Sequence, residues 1–322
     1  MPIFDKAVLT EQARKLGFLT APFEKMSRLT AVLRFLNESE ILRESLALKG
    51  GTAINLTVFN LPRLSMDIDL DFTENLNRED TREKRVKVNE LLELYMAAEG
   101  YTQKGKTKRT HILDSYVYSY TNVAGNSDNI KVEINYSLRS HALPTVDVTA
   151  LTTGIFNPFL IRILAPVEIF ASKIVALTSR SAARDLYDLN NMVYYSLFDE
   201  SEIAILRKCA VLYMAVAGEF SLTGFNSNRI DGITPYKVRT ELRPVIRDAE
   251  RFGLQEARER VSSFLNESMA LTESETAFLK HFAAGRYEPR LLFDDSDIVK
   301  RVENHPMVLW RLQHIRERQE ER

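Results

Sequence analysis

The residues whose types and spacing are best suited to chemistry are a glycine pair and two aspartates that follow it. Gly50 and Gly51 precede Thr52, and Asp67 and Asp69 lie on a segment where apolar and polar residues alternate. The alternation places both aspartates on one face of a strand, about 7 Å apart. Neighbouring carboxylates repel one another unless a cation joins them, and carboxylate sites that also bind phosphate favour Mg²⁺. The pattern therefore indicates metal-assisted nucleotidyl transfer, with a solvated edge-strand face as the structural alternative.

The glycine pair is informative because of its place between two elements. A short strand is predicted over 45–49 and a helix over 52–56, with Thr52 as the N-cap. Most glycine pairs are simply turns. A pair between a strand and a helix, however, offers backbone N–H groups and a helix N-terminus to an anion. Contact with a phosphate is the alternative role for Thr52.

Two further carboxylates share the expected acidic side of the sheet. Asp71 continues the polar face of the strand predicted over 65–72, and we expect it to be a solvated group. A second alternating strand, over 130–137, points Glu133 toward the acidic strand. Glu133 is a candidate third carboxylate, as a metal ligand or a general base. A salt-bridged surface glutamate is the alternative.

A lysine lies within the apolar stripe of the helix that follows Pro166. Lys173 has two readings, since its ammonium either snorkels to water or reaches a phosphate. Arg180, Arg184 and Asp188 would continue the Lys173 face if the helix were unbroken, although 179–183 is a candidate interruption. An ordinary i,i+4 ion pair between Arg184 and Asp188 is the structural alternative.

The elements that must position these residues change character along the chain. The first fifty residues and 81–99 are predicted to be helical, and 116–120, 130–137 and 159–163 to be strands. Beyond Pro166, helices are predicted over 168–178, 184–195, 202–216, 236–251 and 255–269. We therefore expect an α+β domain over 1–163 and an all-helical domain over 164–322.

Composition excludes several classes of protein. The 322 residues carry a formal net charge of −1, so nucleic-acid contact would require a local basic patch. No uninterrupted apolar run approaches the length of a membrane span, and no signal peptide is expected. The single cysteine, Cys209, excludes an internal disulfide and is expected to be a buried thiol. A cytoplasmic protein is expected.

One basic cluster is present, consisting of Lys104, Lys106, Lys108 and Arg109. If this segment is a strand, its three lysines share a face and are suited to binding RNA phosphates. An edge strand protected from aggregation by lysines is the alternative.

Three motifs together resemble the AbiEii/MenT family of bacterial nucleotidyltransferase toxins, within the DNA polymerase β-like superfamily. They are Lys-Gly-Gly-Thr at 49–52, Arg-Leu-Ser-Met-Asp-Ile-Asp-Leu at 63–70, and Lys173 with Arg-Asp-Leu-Tyr-Asp at 184–188. The resemblance spans about residues 45–190. It implies a polymerase β-like nucleotidyltransferase domain with a mixed sheet, followed by a helical domain that contributes Lys173 and Asp188 to the site.

The resemblance also implies roles for individual residues. Asp67 and Asp69 match the metal ligands, Lys173 the triphosphate-binding lysine, and Asp188 a catalytic aspartate. Ser65 matches a hydroxyl that some antitoxin kinases phosphorylate. The implied nucleotide-binding set is Gly50, Gly51, Thr52, Ser65, Lys173 and Arg184. No third carboxylate is carried over, so Glu133 rests on its strand position alone.

The function implied by the resemblance is that of a toxin encoded beside an antitoxin, often in phage-defence (abortive infection) loci. Such a toxin uses an NTP and Mg²⁺ or Mn²⁺ to add nucleotides to the 3′ end of tRNA, which blocks aminoacylation. Two other readings stay open at this point. One is an NTP-binding toxin without turnover, and the other is a nucleotidyltransferase that acts on a protein or a small molecule.

Overall fold

A mixed β-sheet organises the first of two units in this computed structural model. The structure describes residues 4–105, 107–150, 158–218 and 221–320. The first unit comprises the described residues of Met1–Arg139, Thr145–Leu164 and Pro244–Glu250. The second unit comprises those of Ser140–Pro144, Ala165–Arg243 and Arg251–Arg322.

The helices of the first unit follow the predicted apolar spacing. They are α1 (Lys6–Leu16), α2 (Thr20–Glu38), α3 (Glu40–Ser45), α4 (Gly50–Ala53) and α5 (Arg78–Ala98). A π-helical turn, Ile54–Val58, continues α4. Helix α2 buries Met26, Leu29 and Leu33, whose three- and four-residue spacing places them on one helix face. Helix α5 begins three residues earlier than predicted, because the Asn77 side chain accepts the backbone N–H of Asp80 and caps it.

Eight strands of the described residues form one sheet with both parallel and antiparallel pairs. They are β1 (Leu46–Lys49), β2 (Asp67–Phe72), β3 (Thr102–Gln103), β4 (Lys108–Arg109), β5 (Leu113–Thr121), β6 (Ser127–Asn135), β7 (Val146–Thr149) and β8 (Leu160–Ile163). Their order is β3-β5-β6-β2-β1-β8-β7, and β4 also pairs with β5. Strands β2 and β6 are parallel, as are β1 and β8, whereas β1 and β2 are antiparallel. This confirms the α+β fold with a mixed sheet.

The two faces of the central strands differ in chemistry. Ile68, Leu70 and Phe72 of β2 are buried on one face, beside Val132 and Ile134 of β6. The period of two then forces the aspartates of β2 onto the opposite face. Burial of the apolar face therefore fixes the register that aligns the polar side chains, because a slip of one residue would exchange the faces.

Helices make up the second unit, as the sequence predicts. They are α6 (Pro166–Ser179), α7 (Ala183–Tyr194), α8 (Glu200–Ala217), α9 (Asn228–Asp231), α10 (Pro235–Lys237), α11 (Leu254–Glu267), α12 (Glu273–Ala283), α13 (Ser296–Val302) and α14 (Pro306–Glu320). The break between α6 and α7 confirms the predicted interruption. Cys209 is buried within α8, and burial raises the pKa of its thiol.

The single helix predicted over 236–251 is wrong. Helical turns end at Leu242, two residues before a proline. Pro244 has no backbone N–H to continue a helix, and it disfavours helical conformation in the residue before it. The residues that follow belong to the first unit, where Ile246 forms an isolated antiparallel bridge with Arg63.

Candidate active site

The sheet aligns the two predicted metal ligands with a third carboxylate. Asp69 of β2 lies opposite Lys49 of β1 on one side and opposite Glu133 of β6 on the other. Asp67 lies opposite Lys131 in the same register. Directly opposed residues share a sheet face, so Asp67, Asp69 and Glu133 project from the same side. The structure thus brings together the three carboxylates that the sequence singled out.

Gly50 lies directly against one of these carboxylates. Its φ is +67°, in the left-handed region that glycine adopts without a steric penalty. A Cβ at this position would lie 2.9 Å from Asp69 Oδ2. The left-handed backbone therefore favours glycine at 50, and a Cβ there would displace the Asp69 carboxylate. Gly51 is confined in a different way, since a Cβ there would lie 2.5 Å from Arg63 Nη2.

Thr52 is not the N-cap that the sequence predicted. Helix α4 begins at Gly50, so Thr52 lies inside the helix, and Lys49 occupies the cap position. The Thr52 hydroxyl instead donates to the carbonyl oxygen of Asp67 at 2.5 Å. The cap position lies three residues earlier than predicted, at Lys49, because the left-handed Gly50 is already the first residue of the helix. Thr52 thereby ties the glycine turn, Gly50 and Gly51, to the acidic strand.

Ser65 precedes β2 rather than lying within it, because the strand begins at Asp67. Its side chain is buried, with 2% of the residue surface exposed. Asn55 Nδ2 lies 3.5 Å from Ser65 Oγ and donates to the carbonyl oxygen of Gly51 at 2.6 Å. Asn55, which the sequence did not single out, therefore connects the glycine turn to the Ser65 segment.

Asp71 is not the solvated group that was expected. It is buried, and Lys49 Nζ lies 2.5 Å from its Oδ1 atom. Lys49, from the antiparallel neighbour β1, neutralises the buried carboxylate, so burial does not leave an uncompensated charge. Asp71 is therefore a structural partner of Lys49, and it lies two residues beyond Asp69 on the same face of the strand.

Glu133 forms the ion pair that the sequence left as its alternative role. Lys131 Nζ lies 2.6 Å from Glu133 Oε2, and both side chains remain partly exposed. Partial exposure limits what this pair contributes to stability to about 1 kcal/mol or less. Glu133 nevertheless lies directly opposite Asp69 in the sheet, so its position allows it both to pair with Lys131 and to act beside Asp69.

The acidic face carries more negative than positive charge. It consists of the side chains of Lys49, Asp67, Asp69, Asp71, Lys131 and Glu133. Two ammonium groups against four carboxylates leave a formal excess of two negative charges. Burial raises the pKa of Asp69 above its usual value, Lys49 opposes this, and Asp67 and Glu133 raise it further. Electrostatically, this face fits one divalent cation.

The donor set also fits the way in which Mg²⁺ is usually held. Among the described residues, no three His, Cys, Asp or Glu side chains form a ready-made cation cage. Mg²⁺ typically binds one or two carboxylates, keeps several waters, and completes its shell with substrate phosphates. Asp67 and Asp69 are two carboxylates of this kind, beside a backbone turn that is partly exposed.

A second cluster lies in the helical unit and contains the other predicted residues. Lys173 of α6 is buried, and its Nζ atom lies 2.8 Å from Asp185 Oδ1 and 2.8 Å from Asp188 Oδ2, both of α7. Arg180 extends the network, with Nη2 at 2.9 Å from Asp185 Oδ2. Lys173 therefore does not snorkel to water. Lys173 is a cation partner of Asp188, a contact that the i,i+4 alternative with Arg184 did not predict.

Asp185 is a residue of this cluster that sequence reasoning missed. Burial alone would raise the pKa of its carboxyl, but Lys173 and Arg180 outweigh burial and lower that pKa to about 2. A signal was present in the sequence, because Asp185 and Asp188 are three residues apart and so share a helix face. The buried lysine cluster is hereafter Lys173, Arg180, Asp185 and Asp188.

The basic cluster does not form one continuous strand. Strands β3 and β4 both pair with β5, and a turn separates them. Lys106 lies outside the described residues, whereas Lys104, Lys108 and Arg109 are exposed. Arg109 pairs with Glu93, and its guanidinium lies over the Tyr116 ring at 5.3 Å. One continuous strand, the condition for a common lysine face, is therefore absent from the described part of this segment, which does lie at a sheet edge.

The fold and the acidic face define a class of nucleotidyltransferases, and a comparison with protein families identifies it. The family model that matches is that of the nucleotidyl transferase AbiEii toxins of type IV toxin–antitoxin systems, and it matches residues 34–285. The chain belongs to this family. It is therefore a nucleotidyltransferase toxin, its substrate is an NTP, and its context is a toxin–antitoxin system with a cognate antitoxin.

The solved structure of a nucleotidyltransferase toxin is similar in fold. MenT4, a nucleotidyltransferase toxin from Mycobacterium tuberculosis H37Rv, matches with a TM-score of 0.65 and 17% sequence identity. The match covers 95% of this chain and 99% of that one. A comparison with curated proteins gave no match. Within the described part of the chain, no helix has the length and apolar character needed to cross a membrane.

Proposed function

We propose that this toxin transfers nucleotides from an NTP to the 3′ end of tRNA, with Asp67 and Asp69 as ligands of Mg²⁺ or Mn²⁺. One observation carries the proposal. The backbone of Gly50 approaches Asp69 so closely that a Cβ would lie 2.9 Å from the carboxylate oxygen. A backbone turn open to phosphates thus lies next to the carboxylates that would hold the metal accompanying them.

The reaction requires an in-line displacement at the α-phosphorus. The acceptor hydroxyl oxygen forms a bond to phosphorus, the bond to the bridging oxygen of pyrophosphate breaks, and the hydroxyl proton passes to a base. A bound metal would polarise the phosphates and neutralise the charge of the leaving pyrophosphate. Glu133 is in register with Asp69 and is proposed as the base or as a third ligand.

The helical domain predicted over 164–322 is proposed to contribute three residues to this reaction. Lys173 would bind the triphosphate, because an ammonium group is a point charge suited to phosphate. Asp185 and Asp188 hold that ammonium from two sides, and such support fixes a binding group in advance. Asp188 is proposed to order the reacting groups, and Arg184 to assist nucleotide binding.

The nucleotide-binding set in the first unit has two kinds of member. Gly50 and Gly51 are partly exposed and are proposed to meet the phosphates directly. Thr52 and Ser65 are buried, so we assign them a supporting role around the turn. Ser65 is in addition proposed as a point of control by the cognate antitoxin, because an added phosphate would bring roughly −1.5 to −2 charges beside the acidic face.

Total bacterial RNA incubated with each labelled NTP and Mg²⁺ tests the class and the acceptor together. The proposal expects a labelled band at the size of tRNA with the wild-type chain and none with Asp67→Ala. Label in protein or in a small molecule would instead assign a different acceptor. NTP binding without label in any fraction would show a toxin that binds the nucleotide without turnover.

A further inference from the structure

Gly51 is enclosed by two side chains that the proposed reaction has not used. A Cβ on Gly51 would lie 2.5 Å from Arg63 Nη2 and 3.5 Å from Arg63 Cζ. On its other side, Asn55 Nδ2 donates to the Gly51 carbonyl oxygen at 2.6 Å. The guanidinium therefore packs onto the Cα atom of Gly51, in space that any other residue would fill.

Arg63 is itself held firmly in place. The residue is buried, with 3% of its surface exposed, and its Nη1 atom donates to the Leu64 carbonyl oxygen at 3.1 Å. Its backbone bridges Ile246, and the Leu64 N–H donates to the Val245 carbonyl oxygen at 2.7 Å. The segment Pro244–Glu250, distant in sequence, thereby anchors the stretch that carries the guanidinium.

We propose that Arg63 is a positioning residue for NTP binding, acting through the backbone of Gly51. The buried guanidinium fixes where that backbone lies, and its positive charge favours an anion that approaches the turn. This inference rests on the proposed binding of the NTP phosphates at the glycine turn.

Two properties of the guanidinium support the assignment. Arginine stays protonated in proteins, so a cation is present beneath the turn at every working pH. Coulomb interactions weaken less inside a protein than in water, so a buried charge acts on a phosphate even without direct contact. A packing role alone would need the volume of the side chain but not its charge, whereas lysine keeps the charge, methionine does not, and both lack the guanidinium group.

Calorimetric titration with each NTP and Mg²⁺, without an acceptor, separates charge from volume. Arg63→Met should weaken NTP binding by at least about tenfold, the loss typical of one charge-assisted interaction. Arg63→Lys, which keeps the charge but loses the planar fork, should fall between Arg63→Met and wild type. In transfer assays the KM for NTP should rise more than kcat falls. Unchanged NTP affinity in a folded Arg63→Met chain, or NTP affinity in a folded Arg63→Lys chain no higher than in Arg63→Met, overturns the inference.

A double-mutant cycle tests whether Arg63 acts through Gly51. Gly51→Ala should weaken NTP binding in the wild-type background, because the new methyl group displaces the guanidinium. The same change should weaken binding less in the Arg63→Met background, where that clash is gone. Gly105→Ala is the matched glycine control, since a Cβ at 105 meets no atom within 4 Å. Additive effects of the two changes would contradict a role through Gly51.

Arg85→Gln is the control for the general effect of removing an arginine that supports the fold. Arg85 is partly buried and pairs with Asp114 at 2.5 Å, so its loss should lower stability without changing NTP affinity. The outcomes also separate this inference from the proposed function. Tight NTP binding and transfer that do not depend on Arg63 overturn the inference alone. A wild-type chain that binds no NTP overturns both.

Discussion

The Lys173 ammonium and the Asp188 carboxylate form a buried ion pair at 2.8 Å that joins helix α6 to helix α7. Asp185 approaches the same ammonium from the same helix as Asp188. Lys173 lies among apolar residues of α6. Its charge is therefore compensated by two carboxylates of α7, beyond the helix break at 180–182. The cluster has a structural role whatever its role toward the nucleotide, and experiments on Lys173 must separate the two.

Substitution of Lys173 should affect both stability and nucleotide binding. Lys173→Gln leaves two buried carboxylates without their shared cation, so it should destabilise the fold by about 3 to 5 kcal/mol. Lys173→Gln combined with Asp185→Asn should recover part of that loss, because one buried charge is removed. Neither variant should bind NTP as wild type does, since the positive charge is absent. Urea unfolding and calorimetry measure the two effects, and wild-type NTP affinity in the folded double variant would make Lys173 purely structural.

The low pKa of Asp185 predicts a specific acid limit of stability. The pKa is about 2 in the folded chain against an ordinary value of 3.8. The stabilisation should therefore be complete above pH 3.8 and lost as the pH falls toward about 2. Asp185→Asn should lower the free energy of unfolding by about 2 to 3 kcal/mol at neutral pH. The difference in the free energy of unfolding between Asp185→Asn and wild type should become smaller as the pH falls through that range, as measured by urea unfolding.

Asp147→Asn is the control for this pH profile. Asp147 also has a lowered pKa, from its hydrogen bond to Arg162, but the pair is largely exposed. An exposed pair contributes about 1 kcal/mol or less, so the variant should remain close to wild type at every pH. A gap between Asp185→Asn and wild type that stays constant down to the acid limit would show that the Asp185 carboxylate is not selectively stabilised.

Burial of Ser65 determines how its proposed control can operate. With 2% of the residue exposed, a kinase reaches the hydroxyl only after the 63–66 segment opens. Ser65→Asp should be inactive, whereas Ser65→Ala should keep at least part of the activity and escape a kinase-type antitoxin. Intact mass after co-expression with the neighbouring antitoxin checks this directly. A neutralised toxin without added phosphate would exclude the mechanism.

Neutralisation of the basic cluster tests its proposed binding to RNA. Replacement of Lys104, Lys106, Lys108 and Arg109 by glutamine should weaken RNA binding at low salt. It should also make that binding less sensitive to salt, with a slope lower by about one for each phosphate that the chain no longer neutralises. Fluorescence titration with tRNA at several salt concentrations measures this slope. An unchanged slope would assign the cluster to protection of the sheet edge.

Local pattern was sufficient for the parts of the fold that depend on side-chain alternation. The acidic strand was predicted because Ile68, Leu70 and Phe72 alternate with Asp67, Asp69 and Asp71, and burial of one face then aligned the other. The interruption between α6 and α7 was also visible. In each case the information lies within a few neighbouring residues.

Long-range contacts explain what the sequence could not predict. Asp71 was expected to be solvated because nothing in the neighbouring sequence indicates that Lys49 of β1 pairs with it. The helix predicted over 236–251 ends near Pro244, and the following residues pair with the distant Arg63. Asp185 was missed because its partner Lys173 lies on another helix. Lys49 and Arg63 are remote in sequence from the residues they contact, and Lys173 lies on a different helix from Asp185. Pro244, by contrast, was a local signal for the end of the helix.

The most direct test of the central claim is nucleotide incorporation by Asp69→Asn beside wild type. The change keeps the size of the side chain and removes its charge, and it should relieve repulsion with Asp67 and Glu133. We expect a chain that unfolds at the same urea concentration as wild type or higher, yet transfers no labelled nucleotide and no longer inhibits growth. Full transfer by a folded Asp69→Asn chain would contradict metal-assisted nucleotidyl transfer at the acidic face.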